Sequence, residues 1–480
     1  MRILSILLTL VALSAPVVTA ADPSERTSTV TDRELVNLTV YNGGTALIHD
    51  RRRVHLDTGL NRIAWRDVSA NMDATSALLE SIGSPNSVSV LEQNFNFDLL
   101  DPSALLQKYV GKTVTVVHDP QFAGQHETRE TARILSTNGG IVLQYRNRIE
   151  TELRGHIIYP ASSKNFRDRP TLVLDMESMQ SGSQILDLSY LTGGLSWRAD
   201  YVGVVAPDEK HLSLTGLVTL SNTSGAGYDN AHLQLVAGNV NIVQPEMARS
   251  ALKTIAAVND AYSVNGVRQE NYFEYHLYTL ERPTTILDKQ TKQLTLLAAH
   301  GVPIRKTLEL RGSPDYYRSS QPDLGDRLPV GVYVTFQNRG GELGIPLPAG
   351  IVRLYKNDSR NLSQFLGSDQ IDHTPRNEDV RLHLGDSFDV TAHKRQTDYQ
   401  SIDGCTSSST YEIVLSNAKA TAQDVLVVEP IPPPWRILEE NAPHTKSSAF
   451  TATWKLRVPP DGRKILAYTA EVTWCSPPQW

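Results

Sequence analysis

Acidic side chains crowd one stretch of the chain: Asp369, Asp372, Glu378 and Asp379, with His373 among them. Two carboxylates a few ångströms apart suffice for glycoside hydrolysis, one protonating the leaving oxygen and the other acting as base or nucleophile. Oxygen donors on a short loop also suit a hard cation. Plain turn chemistry between strands gives the same composition, so the stretch is a candidate hydrolytic site, a candidate binding surface and an ordinary turn at once. Other chemistries lack their residues. The histidines run from His49 to His444 without an H-E-x-x-H zinc motif, and the nearest match, His126-Glu127, has Glu130 where the second histidine belongs. Gly385-Asp386-Ser387 does not complete G-x-S-x-G and reads as a turn entering a strand. Gly193-Gly194 lies between two β-type segments, away from any phosphate-cradling context. No cofactor and no metal are expected, and no catalytic residues are assigned.

Aromatic side chains offer a second handle. Trp197, Arg198 and Tyr201 fall in one β-type segment, and Glu274, His276 and Tyr278 share one face of another, opposite Tyr275, Leu277 and Thr279. Together with Asp369, Asp372 and His373 they form the candidate binding surface, with core packing as the competing reading of the rings. Both cysteines, Cys405 and Cys475, lie in the last 80 residues and are expected to pair as a disulfide.

The elements that must position these groups are mainly strands. Val36, Leu38 and Val40 alternate with polar residues, Asn42-Gly43-Gly44 and Asp57-Thr58-Gly59 supply turns, and Ile63 and Trp65 follow. Arg51, Arg52 and Arg53 are successive, so they cannot share a face, and a solvated strand edge is expected there. Pro102 to Leu106 reads as a helix start, followed by short strands over Lys112–Val117, Thr131–Ser136, Gly140–Tyr145 and Ile149–Leu153, the size of a small barrel. Leu212, Leu214, Val218 and Leu220 alternate with Ser213, Thr215 and Thr219, and a strand, an Asn-centred loop and a strand recur over Tyr411–Val428. Ala452, Trp454, Leu456 and Val458 alternate just as cleanly before the turn Pro459-Pro460-Asp461-Gly462. Pro245, Met247, Ala251, Leu252, Ile255 and Val258 have the spacing of one amphipathic helix, and Ser313–Arg327 reads as a mobile loop. The fold class is therefore mainly β: immunoglobulin-like β-sandwiches with a small β-barrel module and one short amphipathic helix. The expected division is a signal peptide over 1–21, an N-terminal β segment over 22–98, a barrel-like module over 99–165, a central sandwich over 166–400 with a helical insert at 245–260, and a C-terminal sandwich over 401–480.

Arg2, the apolar run Ile3–Leu13 and the small residues Val18-Thr19-Ala20 predict a secretory signal cleaved near Ala20 or Ala21, and hence a periplasmic or secreted protein. No later run is long and apolar enough for a transmembrane segment. Across 480 residues, 46 Lys and Arg stand against 52 Asp and Glu for a net charge of −6, which leaves no excess of cations for a nucleic-acid partner.

Several strings together carry a family likeness: Leu191–Tyr201 (LTGGLSWRADY), Leu235–Asn239 (LVAGN), Glu274–Leu280 (EYHLYTL), Gly344–Tyr355 (GIPLPAGIVRLY), Gln364–Pro375 (QFLGSDQIDHTP) and Phe388-Asp389-Val390. They resemble a domain of unknown function found in secreted bacterial proteins, a relative of which occurs in mucoidy inhibitor A proteins. The likeness covers Thr171–Trp480, and more loosely Leu35–Val90. Residues 100–160 lack the heptads of the long coiled coil those proteins place before the domain. The resemblance implies an envelope or secreted protein and transfers no catalytic residues. The expected function is a non-enzymatic binding or scaffold component whose partner is an envelope protein or glycan; the alternative is a hydrolase of an envelope polysaccharide using carboxylates of the 369–379 loop.

Overall fold

The computed structural model describes residues 24–97, 101–118, 126–160, 167–238, 240, 261–264, 267–321, 323–325 and 327–474. The expected signal peptide, the helical insert at 245–260 and Cys475 lie outside these residues. The protein is mainly β, and the described residues include one α-helix, Pro102–Lys108. The chain divides into two compact units, each assembled from separated segments.

One unit draws on residues up to Val36, on Ile48–Thr192 and on Ser224–Ala226. Its first sheet has the order Glu25–Ser28, Gly59–Arg66, Thr171–Ser178, Val88–Asn96, with the first pair parallel and the others antiparallel. Ile63 and Trp65, read as strand residues from the sequence, are buried together with Leu172, Leu174 and Met176, but Ala64 and Val173 between them are buried as well, so the middle of this sheet is covered on both faces and does not alternate with solvent. The arginine run departs from expectation. Arg51 pairs with Asp187 and Arg53 with Glu34 nearer the surface, but Arg52 points inward and is fully buried against Asp50. The alternation of strand side chains sends the middle residue of three to the core face, where Asp50, two residues away on the same face, is its counter-ion.

In the same unit, five antiparallel strands run in the order Ile149–Glu150, Val142–Gln144, Thr128–Ser136, Thr113–His118, Gly155–Ile158. The expected barrel over 99–165 does not close: among the described residues the two terminal strands do not pair, and a two-residue edge strand offers too short a ladder to do so. The helix covers this open sheet instead. Asp101 caps it by accepting from Ser103 N and Ala104 N at 2.7 and 2.9 Å, and Pro102 takes the first turn. Leu105 and Leu106 then pack on the core of Val114, Val116, Ile134 and Leu143.

The second unit comprises Asn37–Leu47, Gly193–Thr223 and Gly227 onward. Its main sheet has the order Ser363–Ile371, Gly350–Asn357, Leu195–Val205, His211–Asn222, Gln290–Arg311, Gln423–Pro430, Thr451–Val458, Thr445–Ser448. Gln290–Arg311 is 22 residues long and links two regions of this sheet, pairing with His211–Asn222 through its first half and with Gln423–Pro430 through its last residues. Gly331–Gln337 pairs with the same long strand and with Asp379–Asp386. A four-stranded antiparallel sheet, Val390–Ser401, Thr406–Asn417, Gly462–Thr473 and Trp435–Glu440, faces part of it across one shared core containing Leu308, Leu310, Tyr411, Ile413, Val427, Trp454 and Tyr468. The Asn-centred loop owes its shape to Asn417, whose amide donates to the carbonyls of Thr421 and Pro459 at 2.9 Å each.

The polar stretch after residue 313 is not a mobile loop throughout. Ser313 caps a 3-10 turn over Pro314–Tyr317, and this delivers Tyr317 into the shared core, where it is fully buried. Two adjacent tyrosines give that stretch the apolar area to dock, which its surrounding charges conceal in the sequence.

Candidate functional site

The strand Leu195–Val205 sorts its residues to two faces. Trp197, Ala199, Tyr201 and Val205 turn inward, while Arg198, Asp200, Val202 and Val204 line the outer face. Tyr201 and Tyr278 are 0% and 1% exposed, and Trp197 is buried with them. The two phenols donate to the carbonyls of Pro348 and Pro346 at 2.8 Å each, and Trp197 meets Tyr278 edge-on with ring centroids 6.4 Å apart. Tyr201 and Tyr278 therefore hold the Gly344–Gly350 loop through its carbonyls, Trp197 packs against Tyr278, and all three are buried as core residues. Inward-facing strand positions next to a proline-rich loop offer large rings both packing area and a carbonyl for their hydroxyls.

The two candidate histidines come close enough for one to feel the other's charge. His276 stands beside Gln269, with Nδ1 3.1 Å from the amide nitrogen, and burial together with the charges of His373 and Arg376 pushes it below the usual imidazole range. Nδ1 of His373 accepts from Ala349 N at 3.2 Å, which leaves its proton on Nε2. Glu274 is exposed beyond them. His276 and His373 thus lie in one neighbourhood despite their sequence separation, His373 bonded to the loop backbone and His276 to the Gln269 amide.

The acidic stretch is spread out. Asp369 belongs to the strand Ser363–Ile371, not to a loop, and accepts from His383 N at 2.7 Å and from Gln370 N at 2.8 Å. Asp379 lies four residues before His383 on the neighbouring strand, about 13 Å along it at strand rise. A glycosidase pair needs separations of about 5 to 9.5 Å. Asp372 and Glu378 are exposed, and their backbone carbonyls accept from Thr374 Oγ1 and Asn338 N. Among the described residues no group of three or more His, Cys, Asp or Glu side chains is arranged to hold a metal ion. An open groove of about 900 Å³ has Asp379 on its wall, but its Glu342 carboxylate is engaged by His300 N at 2.7 Å.

The outer face of the main sheet does bring functional groups together. Asp200 accepts from Arg353 Nη1 at 3.0 Å, from Arg198 Nε at 3.1 Å and from Thr219 Oγ1 at 2.8 Å, and Gln293 donates to Thr219 at 3.2 Å. Burial alone would raise this carboxyl, but the Arg353 and Thr219 hydrogen bonds and the Arg198 charge outweigh it and hold it below the usual range. Beside this network runs an apolar row set by register: Val204 pairs with Tyr355, and Tyr355 with Phe365. Val204 and Phe365 are 38% and 58% exposed, and the Tyr355 and Phe365 rings lie 5.5 Å apart. The parallel contact that creates this row depends on Gly350, where a Cβ would lie 2.3 Å from the Ala199 carbonyl oxygen.

Of the candidate residues read from the sequence, only Arg198 belongs to this face. Asp200, Thr219, Arg353, Tyr355 and Phe365 were missed. Alternation places Arg198 with Asp200, but nothing local links Asp200 to Arg353, which arrives through a parallel pairing across a long sequence separation. No protein-family model matches this chain, and the search of curated proteins finds no relative.

Proposed function

We propose that this protein is a non-enzymatic binding or scaffold component of the bacterial cell envelope, periplasmic or secreted after cleavage near Ala20 or Ala21, engaging an envelope protein or glycan. The observation that carries the reading is the row of exposed Val204, half-buried Tyr355 and exposed Phe365 beside a preset Arg198, Asp200 and Arg353 network. Exposed aromatic faces stack on sugar rings or apolar side chains, and paired arginines on a rigid sheet give directional hydrogen bonds. A contiguous apolar patch with a polar surround is the usual mark of an interaction site. The separation of Asp369 from Asp379 does not favour the hydrolase reading.

The rest of the proposal follows the sequence. Residues 171–480 form immunoglobulin-like sandwiches related to the domain of unknown function of mucoidy inhibitor A proteins. Supporting the sandwich reading for the C-terminal part are two facing sheets around one core. Cys405 and Cys475 form a disulfide, a reading supported by the Trp474 N–H, one residue away, which donates to the Cys405 carbonyl at 2.7 Å. Among the described residues no helix is long and apolar enough to cross a membrane.

A photo-reactive residue at position 365, compared with one at the exposed Asp424, tests the proposal in intact cells. Capture of one envelope protein or glycan from position 365 and not from 424 is the expected result. Equal capture from both positions, or none from 365, refutes the surface.

A further inference from the structure

The C-terminal core contains a lysine that no surface role explains. Lys394, on Val390–Ser401 of the four-stranded sheet, and Glu429, on Gln423–Pro430 of the main sheet, have side chains 1% and 0% exposed, with Nζ 2.7 Å from Oε2. Rings enclose the amine: Tyr411 and Tyr316 centroids lie 4.4 and 4.5 Å from Nζ. A chain of hydroxyls closes a ring from nitrogen back to carboxylate. Nζ donates to Tyr468 Oη at 3.3 Å, Tyr468 and Tyr317 hydroxyls are 2.8 Å apart, and Tyr317 Oη donates to Oε2 at 2.9 Å. Oε1 is buried with no hydrogen-bond partner. Gly312 backs the carboxylate, and a Cβ there would lie 2.2 Å from Oε2.

We propose that Lys394 and Glu429 condense spontaneously to an intramolecular amide that staples the two sheets of the C-terminal core. Proton transfer along the 2.7 Å contact converts ammonium and carboxylate to amine and carboxylic acid. The nitrogen lone pair then attacks Cδ, which lies within about 4 Å given the length of a C–O bond. A C–N bond forms, the Cδ–Oε2 bond breaks, and Oε2 leaves as water with the acid proton and one amine proton. The second proton reaches Oε2 through Tyr468 and Tyr317, whose hydroxyls form the relay. Oε1 remains as the amide carbonyl. No oxidant, reductant or co-reactant is needed.

Three features favour the reaction. Burial lowers the lysine pKa despite the nearby carboxylate, which brings the nucleophilic free amine within reach. Burial also raises Tyr317 and Tyr468, keeping both relay hydroxyls protonated. Condensation removes two charges from a site where each is costly to desolvate, replaces a half-unpaired carboxylate with a neutral carbonyl, and releases water to solvent.

The test is the denaturing mass of the purified full-length mature chain, fully reduced, followed by proteolytic mapping. The expected result is a mass one water below that of the sequence from the observed N-terminus, with a branched peptide joining Lys394 to Glu429. Lys394→Met should restore the sequence mass, and because the wild-type spectrum decides alone, poor folding of that variant does not blunt the test. A wild-type spectrum at only the sequence mass, or a lost water mapped to any other residues, overturns the proposal.

Discussion

Replacing Asp50 by Asn isolates a buried charge cluster whose worth can be worked from its geometry. Asp50 accepts from Arg52 Nη2 at 2.6 Å, from Arg33 Nε at 2.8 Å and from Trp65 Nε1 at 3.2 Å, and Arg52 also donates to the carbonyls of Ser28 and Arg66 at 3.0 and 2.7 Å. Burial pushes the carboxyl up, but the charges of Arg52 and Arg33 and their hydrogen bonds outweigh it, holding it at about 2 against a reference of 3.8. That difference is worth ~2 kcal/mol of stability. Because the folded value is depressed, this contribution is complete above pH 4 or so and is lost as pH falls through about 2. Asp50→Asn keeps the volume but leaves the Arg52 guanidinium buried without its counter-ion, at an expected cost of ~3–5 kcal/mol. Urea unfolding read by hydrogen-exchange mass spectrometry on peptides from Thr45–Leu56 and Gly59–Arg66 measures both effects. The parent should lose ~2 kcal/mol more than the variant between pH 5 and 2, since other carboxylates act on both alike. A variant within about 1 kcal/mol of the parent at pH 7, or identical pH slopes, would refute the reasoning.

Other outcomes follow from single contacts. Gly350→Ala should destabilise the second unit by ~2 kcal/mol or more, because the new Cβ meets the Ala199 carbonyl and must part the parallel strands; thermal unfolding of the variant checks this. Tyr278→Phe should cost ~1–2 kcal/mol by leaving the Pro346 carbonyl without its donor, read as a lower urea midpoint with an unchanged slope. Thiol labelling of the denatured, unreduced protein should detect no free cysteine, and reduction should lower the stability of the C-terminal region by ~4 kcal/mol in the chain-entropy account.

Alternation made most strands legible. Leu212, Leu214, Val218 and Leu220, and likewise Ala452, Trp454, Leu456 and Val458, are buried where period-two patterning places them. The patterning failed where a polar residue faces inward. Arg52, expected at a solvated strand edge, is buried because a carboxylate from the same core face meets it, and Lys394 is likewise buried against a carboxylate of the opposite sheet. Closure of the five-stranded sheet was equally out of reach, since short strands look alike whether or not the last pairs with the first. The candidate surface was legible only in part. Clustering of aromatic residues along the sequence points to Trp197, Tyr201 and Tyr278, which are core residues, and to Phe273 beside them, which is exposed. The half-buried Tyr355 and the exposed Phe365 come together with Val204 through strand register, a property of the sheet and not of any one segment.

The binding claim is tested most directly with purified protein. Association with isolated envelope polysaccharide and with the captured envelope protein, if one is found, is measured for the parent and for a Val204→Asp, Phe365→Asp double variant. Both side chains are exposed, so the substitutions leave folding intact. The account predicts at least a tenfold loss of affinity, about 1.4 kcal/mol, for one of the two ligands. Unchanged affinity of a folded double variant would contradict it.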